Sequence, residues 1–195
     1  MTLNSALENI HLEGLYGDYK DKNEEDLIKI SELKNFLIVQ IVQYKNSSSS
    51  IRDIKLDNLN IKNEPVLVSN NSDTRILWNG PNNWLVVSYK KELINEIIKK
   101  FDENNFAITD LSNSRAIIEL EGKNTKEVLK KGCPYNFNEL KKDNSINSVF
   151  SGMTITIDML SENPCKIRVF TLRSFGESLY HSITDSSLEF GYKNI

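Results

Sequence analysis

Few side chains in this sequence are suited to chemistry, and the best placed are Asp110, Ser112 and Arg115. A carboxylate that accepts N–H donors, a hydroxyl and a forked guanidinium at this spacing suit the orientation of a polar ligand, with Arg115 pairing to its carboxylate. The competing reading is an Asx-type turn between two strands, followed by a surface arginine. Cys133 carries a readily activated thiol, but it follows a helix end instead of occupying the positive N-terminus of one, so a buried thiol before Pro134 is the expectation. His11 and His181 stand far from each other and from Cys133 and Cys165, and zinc needs four ligands or three plus water. The eight glycines, at 14, 17, 80, 122, 132, 152, 176 and 191, give no G-x-G-x-x-G dinucleotide fingerprint. Gly122-Lys123 resembles the end of a P-loop, yet Asn124 replaces Ser or Thr and Ile117 stands where the first glycine belongs. The expectation is a chain with no catalytic residue, no metal ligand and no bound cofactor of its own.

The elements around these residues read as α+β, in two small lobes of antiparallel sheet with covering helices. Residues 1–26 carry weak patterning and a charge-rich end, which reads as an N-terminal arm. From Leu27 to Tyr44 β-branched and aromatic residues build one or two strands, with apolar residues on both faces as in a buried strand, and Asn46 to Ser50 is a loop by composition. Val66–Val68, Arg75–Trp78 and Trp84–Ser88 form a meander. Leu93, Ile94, Ile97, Ile98 and Phe101 then recur at three-and-four spacing, an amphipathic helix over a sheet. These make a first lobe, 27–104. The second, 105–195, has strands at Phe106–Leu111 and Arg115–Leu120. A helix follows, opened by an Asn124/Glu127 capping box and stopped by Gly132. Further strands near Val149–Met159 and Lys166–Leu172 precede a helix capped by Ser174 and Glu177.

Composition narrows the partners. A chain of 195 residues with 39% hydrophobic content buries a substantial core, while a net charge of −3 offers no broad positive field for nucleic acid. Lys99-Lys100 and Lys130-Lys131 sit at helix ends, where cations favour the dipole. The apolar run Phe36–Val42 is far shorter than the roughly 20 residues of a membrane span. No secretory pattern opens the sequence, and two cysteines fit a reducing compartment, so a cytoplasmic location is expected. Trp78 and Trp84 bracket an Asn-Gly-Pro-Asn-Asn turn. Indoles serve both cores and interface centres, and both uses stay open for Trp84. Arg173 suits either a partner's carboxylate or an ion pair within the chain.

Four segments in order carry a resemblance: Trp78–Leu85 as Trp-x-Gly-Pro-x-x-Trp-Leu, Asp110–Arg115 as Asp-x-Ser-x-Ser-Arg, Gly132–Pro134 as Gly-Cys-Pro, and Arg173–Leu179 as Arg-Ser-Phe-x-Glu-Ser-Leu. From about residue 75 onward the chain resembles the gamma subunit of heterotetrameric sarcosine oxidase. It is also similar, from Asp110 to the Asn124 helix, to aminomethyltransferases and related folate-binding proteins, which implies a related fold. The resemblance implies a complex that oxidatively demethylates sarcosine to glycine and passes the one-carbon unit to tetrahydrofolate. FAD, FMN, NAD and zinc would sit on partner chains, and this chain would dock without a cofactor on the alpha and beta subunits. Trp84, Arg115 and Arg173 are then the expected interface contacts. The alternative is a stand-alone folate-binding one-carbon transfer protein with Asp110 and Arg115 in its pocket.

Overall fold

A computed structural model describes residues 5–195. The chain runs β1 (Gly14–Tyr16), β2 (Ile28–Leu33), β3 (Leu37–Gln43), β4 (Lys55–Leu56), β5 (Leu59–Asn60), β6 (Val68–Asn70), β7 (Thr74–Gly80), β8 (Asn83–Ser88) and α1 (Leu93–Lys100). It continues through β9 (Phe106–Asp110), β10 (Arg115–Glu121), α2 (Thr125–Lys130), β11 (Ser145–Phe150), β12 (Met153–Glu162), β13 (Cys165–Leu172), α3 (Gly176–Ser187) and β14 (Tyr192–Asn194). Few helices and mostly antiparallel sheet give the expected α+β class.

Two compact units form, and neither is one half of the sequence. One comprises the chain up to Lys34 with Ser114–Lys142 and Asn147–Ile195; the other comprises Asn35–Asn113 with Asp143–Ile146. The sequence lobes 27–104 and 105–195 miss this exchange, because periodicity identifies a strand without saying which strand it pairs. The residues between Leu27 and Tyr44 divide at Lys34: β2 pairs antiparallel with β10, and β3 pairs with β8 and β9.

The first unit holds a seven-stranded sheet of order β1-β14-β2-β10-β13-β12-β11. Only β14 against β2 is parallel among its registered pairs. The expected N-terminal arm is built in where it is described: Leu7 is buried and β1 pairs with β14, while residues 1–4 lie outside the described residues. Gly191 shows why this edge needs glycine. Its φ is +69°, and an added Cβ would lie 2.6 Å from the carbonyl oxygen of Asp18. Arg168 bridges the middle of the sheet, its Nε donating to Glu119 Oε2 at 2.8 Å, with both residues buried. Asp158, fully buried, lies directly across from Arg168 on β12.

Neither predicted capping box forms. Asn124 makes no side-chain cap hydrogen bond, and Glu127 accepts from Lys130 Nζ at 2.6 Å instead. Ser174 lies inside a 3-10 turn, Arg173–Phe175, that feeds directly into α3, so the turn's own carbonyl satisfies the first helical N–H. Gly176 opens α3 because a Cβ there would come within 3.0 Å of the Ala116 Cβ.

The second unit has a five-stranded sheet, β6-β7-β8-β3-β9, and the small β4-β5 hairpin. Its core gathers Leu37, Val39, Ile41, Ile76, Trp84 and Val86 from the sheet with Leu93, Ile97 and Phe101 from the α1 segment. The helical periodicity read from the sequence is therefore confirmed for three of its five residues as core. Ile94 packs against that core in part, and Ile98 is 62% exposed.

Candidate docking surface

Trp84 is not at the surface. It is 1% exposed within the second unit's core, and its Nε1–H donates to the Lys62 carbonyl at 2.8 Å. The expectation that it anchors an interface is corrected by this geometry: indole area that could meet a partner is already spent on Leu37, Val86 and their neighbours. Trp78 pairs directly across from Trp84 in the hairpin, with a register irregularity before Gly80, and is half-buried. The turn keeps the two indoles opposite each other in the hairpin.

Asp110 ends β9, exposed, and its Oδ1 accepts the Ser112 N–H at 2.8 Å. Ser112 Oγ in turn accepts the Ile38 N–H at 3.0 Å. This is the Asx turn that the residue types offered, and it ties the strand end of the second unit rather than presenting a free carboxylate pair. Arg115 belongs to the other unit, so the ligand-orienting pair is divided between units.

Arg115 opens β10 half-buried, and desolvation lowers the affinity of its guanidinium for the proton. Its Nη1 makes one long contact, 3.5 Å to the Ser114 carbonyl, and among the described residues it has no carboxylate partner. A fork with five donors is thus held partly out of water with a single contact within the chain. Directly across from it in register stands Leu172, 42% exposed, at the end of β13. Three residues on, Phe175 closes the 3-10 turn at 41% exposure. The position of Arg173 is fixed by its backbone N–H, which donates to the Ser114 carbonyl at 2.8 Å. Of the three predicted contact residues, Arg115 and Arg173 come together at this end of the sheet and Trp84 does not. Leu172 and Phe175 were passed over in the sequence; the signal was available in two large apolar residues flanking an arginine, RVFTLRSF.

The remaining chemistry-bearing groups lie apart from one another. Cys133 is buried with Sγ 3.3 Å from Ser148 Oγ, and Cys165 is buried with its thiol pKa pushed up by desolvation. His11 Nε2 lies 3.1 Å from the Ile195 carbonyl, and its ring meets Tyr180 edge-on at 5.4 Å. His181 is exposed, 3.8 Å from Glu177. Among the described residues no three His, Cys, Asp or Glu side chains gather as metal ligands, and no helix is long and apolar enough to cross a membrane.

Tyr180 and Tyr192 give a pH dependence. Desolvation, reinforced by the neighbouring Tyr192 phenol, raises the Tyr180 pKa from 10.0 to about 12, and burial raises that of Tyr192. The unfolded phenols ionise first as pH climbs, so the stability these groups contribute is fully present below pH 10 and is lost as pH rises through about 12. Alkaline titration of tyrosinate absorbance is expected to show Tyr180 and Tyr192, and the partly desolvated Tyr135, ionising late, together with loss of native circular dichroism. Ionisation of Tyr180 at the ordinary pKa of a phenol while the fold persists would refute this environment.

Comparison with known proteins places the surface in context. The model of the "Sarcosine oxidase, gamma subunit family" matches residues 57–189, a stretch that contains all four sequence motifs. The sarcosine oxidase subunit gamma of Corynebacterium sp. (strain U-96) is 25% identical over 122 residues, covering 61% of this chain and 58% of that protein. The matched stretch therefore spans little more than half of that relative. A chain of the heterotetrameric sarcosine oxidase from Corynebacterium sp. U-96, solved in complex with pyrrole 2-carboxylate, superposes with a TM-score of 0.82 at 19% identity, covering 96% of this chain and 95% of that one. Aminomethyltransferase T of the glycine cleavage system from Bartonella henselae superposes with a TM-score of 0.65 at 10% identity, over 88% of this chain and 48% of its own. At these identities the two superpositions establish a shared fold.

Proposed function

The chain belongs to the sarcosine oxidase, gamma subunit family, and from that premise we propose that it is a structural subunit of a heterotetrameric sarcosine oxidase. The complex would demethylate sarcosine oxidatively to glycine and pass the one-carbon unit to tetrahydrofolate. This chain docks on the alpha and beta subunits in the cytoplasm and performs no chemistry alone. FAD, FMN, NAD and zinc reside on the companions. The observation that carries the docking role is Arg115: a half-buried guanidinium without a carboxylate of its own, beside exposed Leu172 and Phe175. A partially desolvated arginine next to apolar surface is the arrangement that interface centres favour, because a partner's carboxylate supplies the missing bonds while its apolar atoms cover the rim.

Co-expression with flavin-bearing companion subunits and affinity purification tests this. Arg115→Ala is expected to weaken assembly about tenfold to a thousandfold, the 1.4–4 kcal/mol of an interface hot spot, with Arg115→Lys recovering part because it keeps charge without the fork. Stability should change little, since the variant loses within the described chain no ion pair and only one long contact, to the Ser114 carbonyl. Assembly and turnover that proceed equally well without this chain would overturn the proposal. Tight binding of tetrahydrofolate to the isolated chain would replace it with a folate-binding reading.

A further inference from the structure

The open edge of the second unit's sheet leads to a more specific interaction. Strand β9 is the last strand of its sheet, pairing only with β3 on its inner side. The register puts Asn105 opposite Tyr44 and Leu111 opposite Ile38, and those positions are hydrogen-bonded, Tyr44 N–H to Asn105 O at 2.9 Å and Leu111 N–H to Ile38 O at 2.7 Å. Antiparallel ladders alternate, so Ala107 and Thr109 also face β3, and the backbone groups of Phe106, Ile108 and Asp110 face outward. The Phe106 N–H is taken by the Asp102 carbonyl at 2.9 Å. Among the described residues the Ile108 N–H and C=O, the Phe106 C=O and the Asp110 N–H have no backbone partner.

Edges of this kind are usually blunted by lysine, proline or a bulge. The β9 sequence Phe-Ala-Ile-Thr-Asp has none of them, and its pairing with β3 is unbroken. Alongside the edge runs an open groove of about 570 Å³ lined by Tyr44, Ile98, Phe101, Asp102, Glu103 and Ile108, among others. Ile98 and Tyr44 are 62% and 45% exposed. A strand laid along β9 would direct alternate side chains into this groove, between Ile98 on α1 and Ile108. Asp102, Glu103 and Asp110 are exposed around the same edge and take part in no ion pair among the described residues. The backbone N–H and the side chain of Asn104 hold the Asp102 carboxyl below its usual range.

We propose that β9 receives an extended segment of a companion subunit as an added strand, with an apolar side chain seated between Ile98 and Ile108 and lysine or arginine residues facing Asp102, Glu103 and Asp110. Main-chain hydrogen bonds supply the affinity of such an addition, and the groove with its acidic frame supplies selection for a basic, apolar-containing sequence. The inference rests on the reading of this chain as a docked subunit.

Amide hydrogen exchange on the full chain, free and in the complex purified from co-expression with its companions, tests it. In the free chain the Ala107 and Thr109 amides are expected to be protected and the Ile108 and Asp110 amides to exchange rapidly. In the complex the Ile108 amide is expected to slow about tenfold or more. Ile98→Glu, at a surface position that leaves the fold intact, should raise the assembly Kd about tenfold or more by burying a charge against the added strand. The double charge reversal of Asp102 and Glu103 to lysine should weaken assembly as well. A wild-type chain that fails to assemble refutes the subunit reading itself. A complex that forms with the Ile108 amide still exchanging freely, or with full affinity for the Ile98→Glu chain, refutes the strand addition alone. Protection of Ile108 that grows with the concentration of the isolated chain would identify a second copy as occupant and would also overturn it.

Discussion

Replacing Arg168 by leucine is expected to destabilise the protein by about 3–5 kcal/mol, the usual consequence of removing one partner from a buried charge pair. Its Nε is bonded to Glu119 Oε2 at 2.8 Å, and it faces fully buried Asp158 across the strand pair. Without the guanidinium, Glu119 keeps Lys166 at 3.1 Å, but that amine also serves Glu121 at 2.9 Å. The loss is large because the carboxylates stay behind in a low-dielectric setting, and small compensations from water are blocked by their burial. Arg168→Lys should lose less, since it retains the charge while giving up the planar geometry. Urea unfolding with equal slopes for the variants measures the difference. A change under about 1 kcal/mol for the leucine variant would mean that the pair contributes register and not stability.

The second large effect is expected at Trp84. Truncation to alanine removes the largest fully buried side chain of the second unit and should cost about 3–5 kcal/mol. Phenylalanine keeps much of the area but leaves the Lys62 carbonyl without its donor, for a cost of about 1–3 kcal/mol. The contrast with Arg115 decides between core and interface roles. Trp84→Phe is expected to lower stability while leaving the assembly affinity of the folded chain unchanged, whereas Arg115→Ala does the reverse. If Trp84→Phe weakened assembly at full stability, the indole would have a role outside the core that its burial does not predict.

These two residues also show how far the sequence reached. The hairpin around Trp78 and Trp84 was legible from its turn residues and apolar alternation, and β7 and β8 occupy nearly the expected stretches. Whether Trp84 faced inward was not legible, since an indole contributes equally well to a core or to a contact, and only the packing of α1 over that sheet face settled it. Ile98 gives the converse case. Three-and-four spacing assigns it to the apolar face with Leu93 and Ile97, but β9 is the last strand beneath the helix, so nothing in the unit covers it. The capping boxes failed for a related reason: Ser174 and Asn124 have suitable side chains, but the chain enters both helices through turns whose backbone already meets the need.

Short-range order along the chain determined where strands and helices form, the α+β class, the absence of nucleotide and zinc spacing, and the motifs that mark the family. Each depends on neighbours within a few positions, which is the range over which side-chain periodicity and turn chemistry act. Tertiary structure alone decided that β2 and β10 share a sheet while β3 does not, that Arg168 meets Glu119, that Arg115 has no carboxylate partner among the described residues, and that β9 has a neighbouring strand on one side only. Those outcomes depend on which distant segments pair, and a strand's alternation is satisfied equally by any partner that covers its faces.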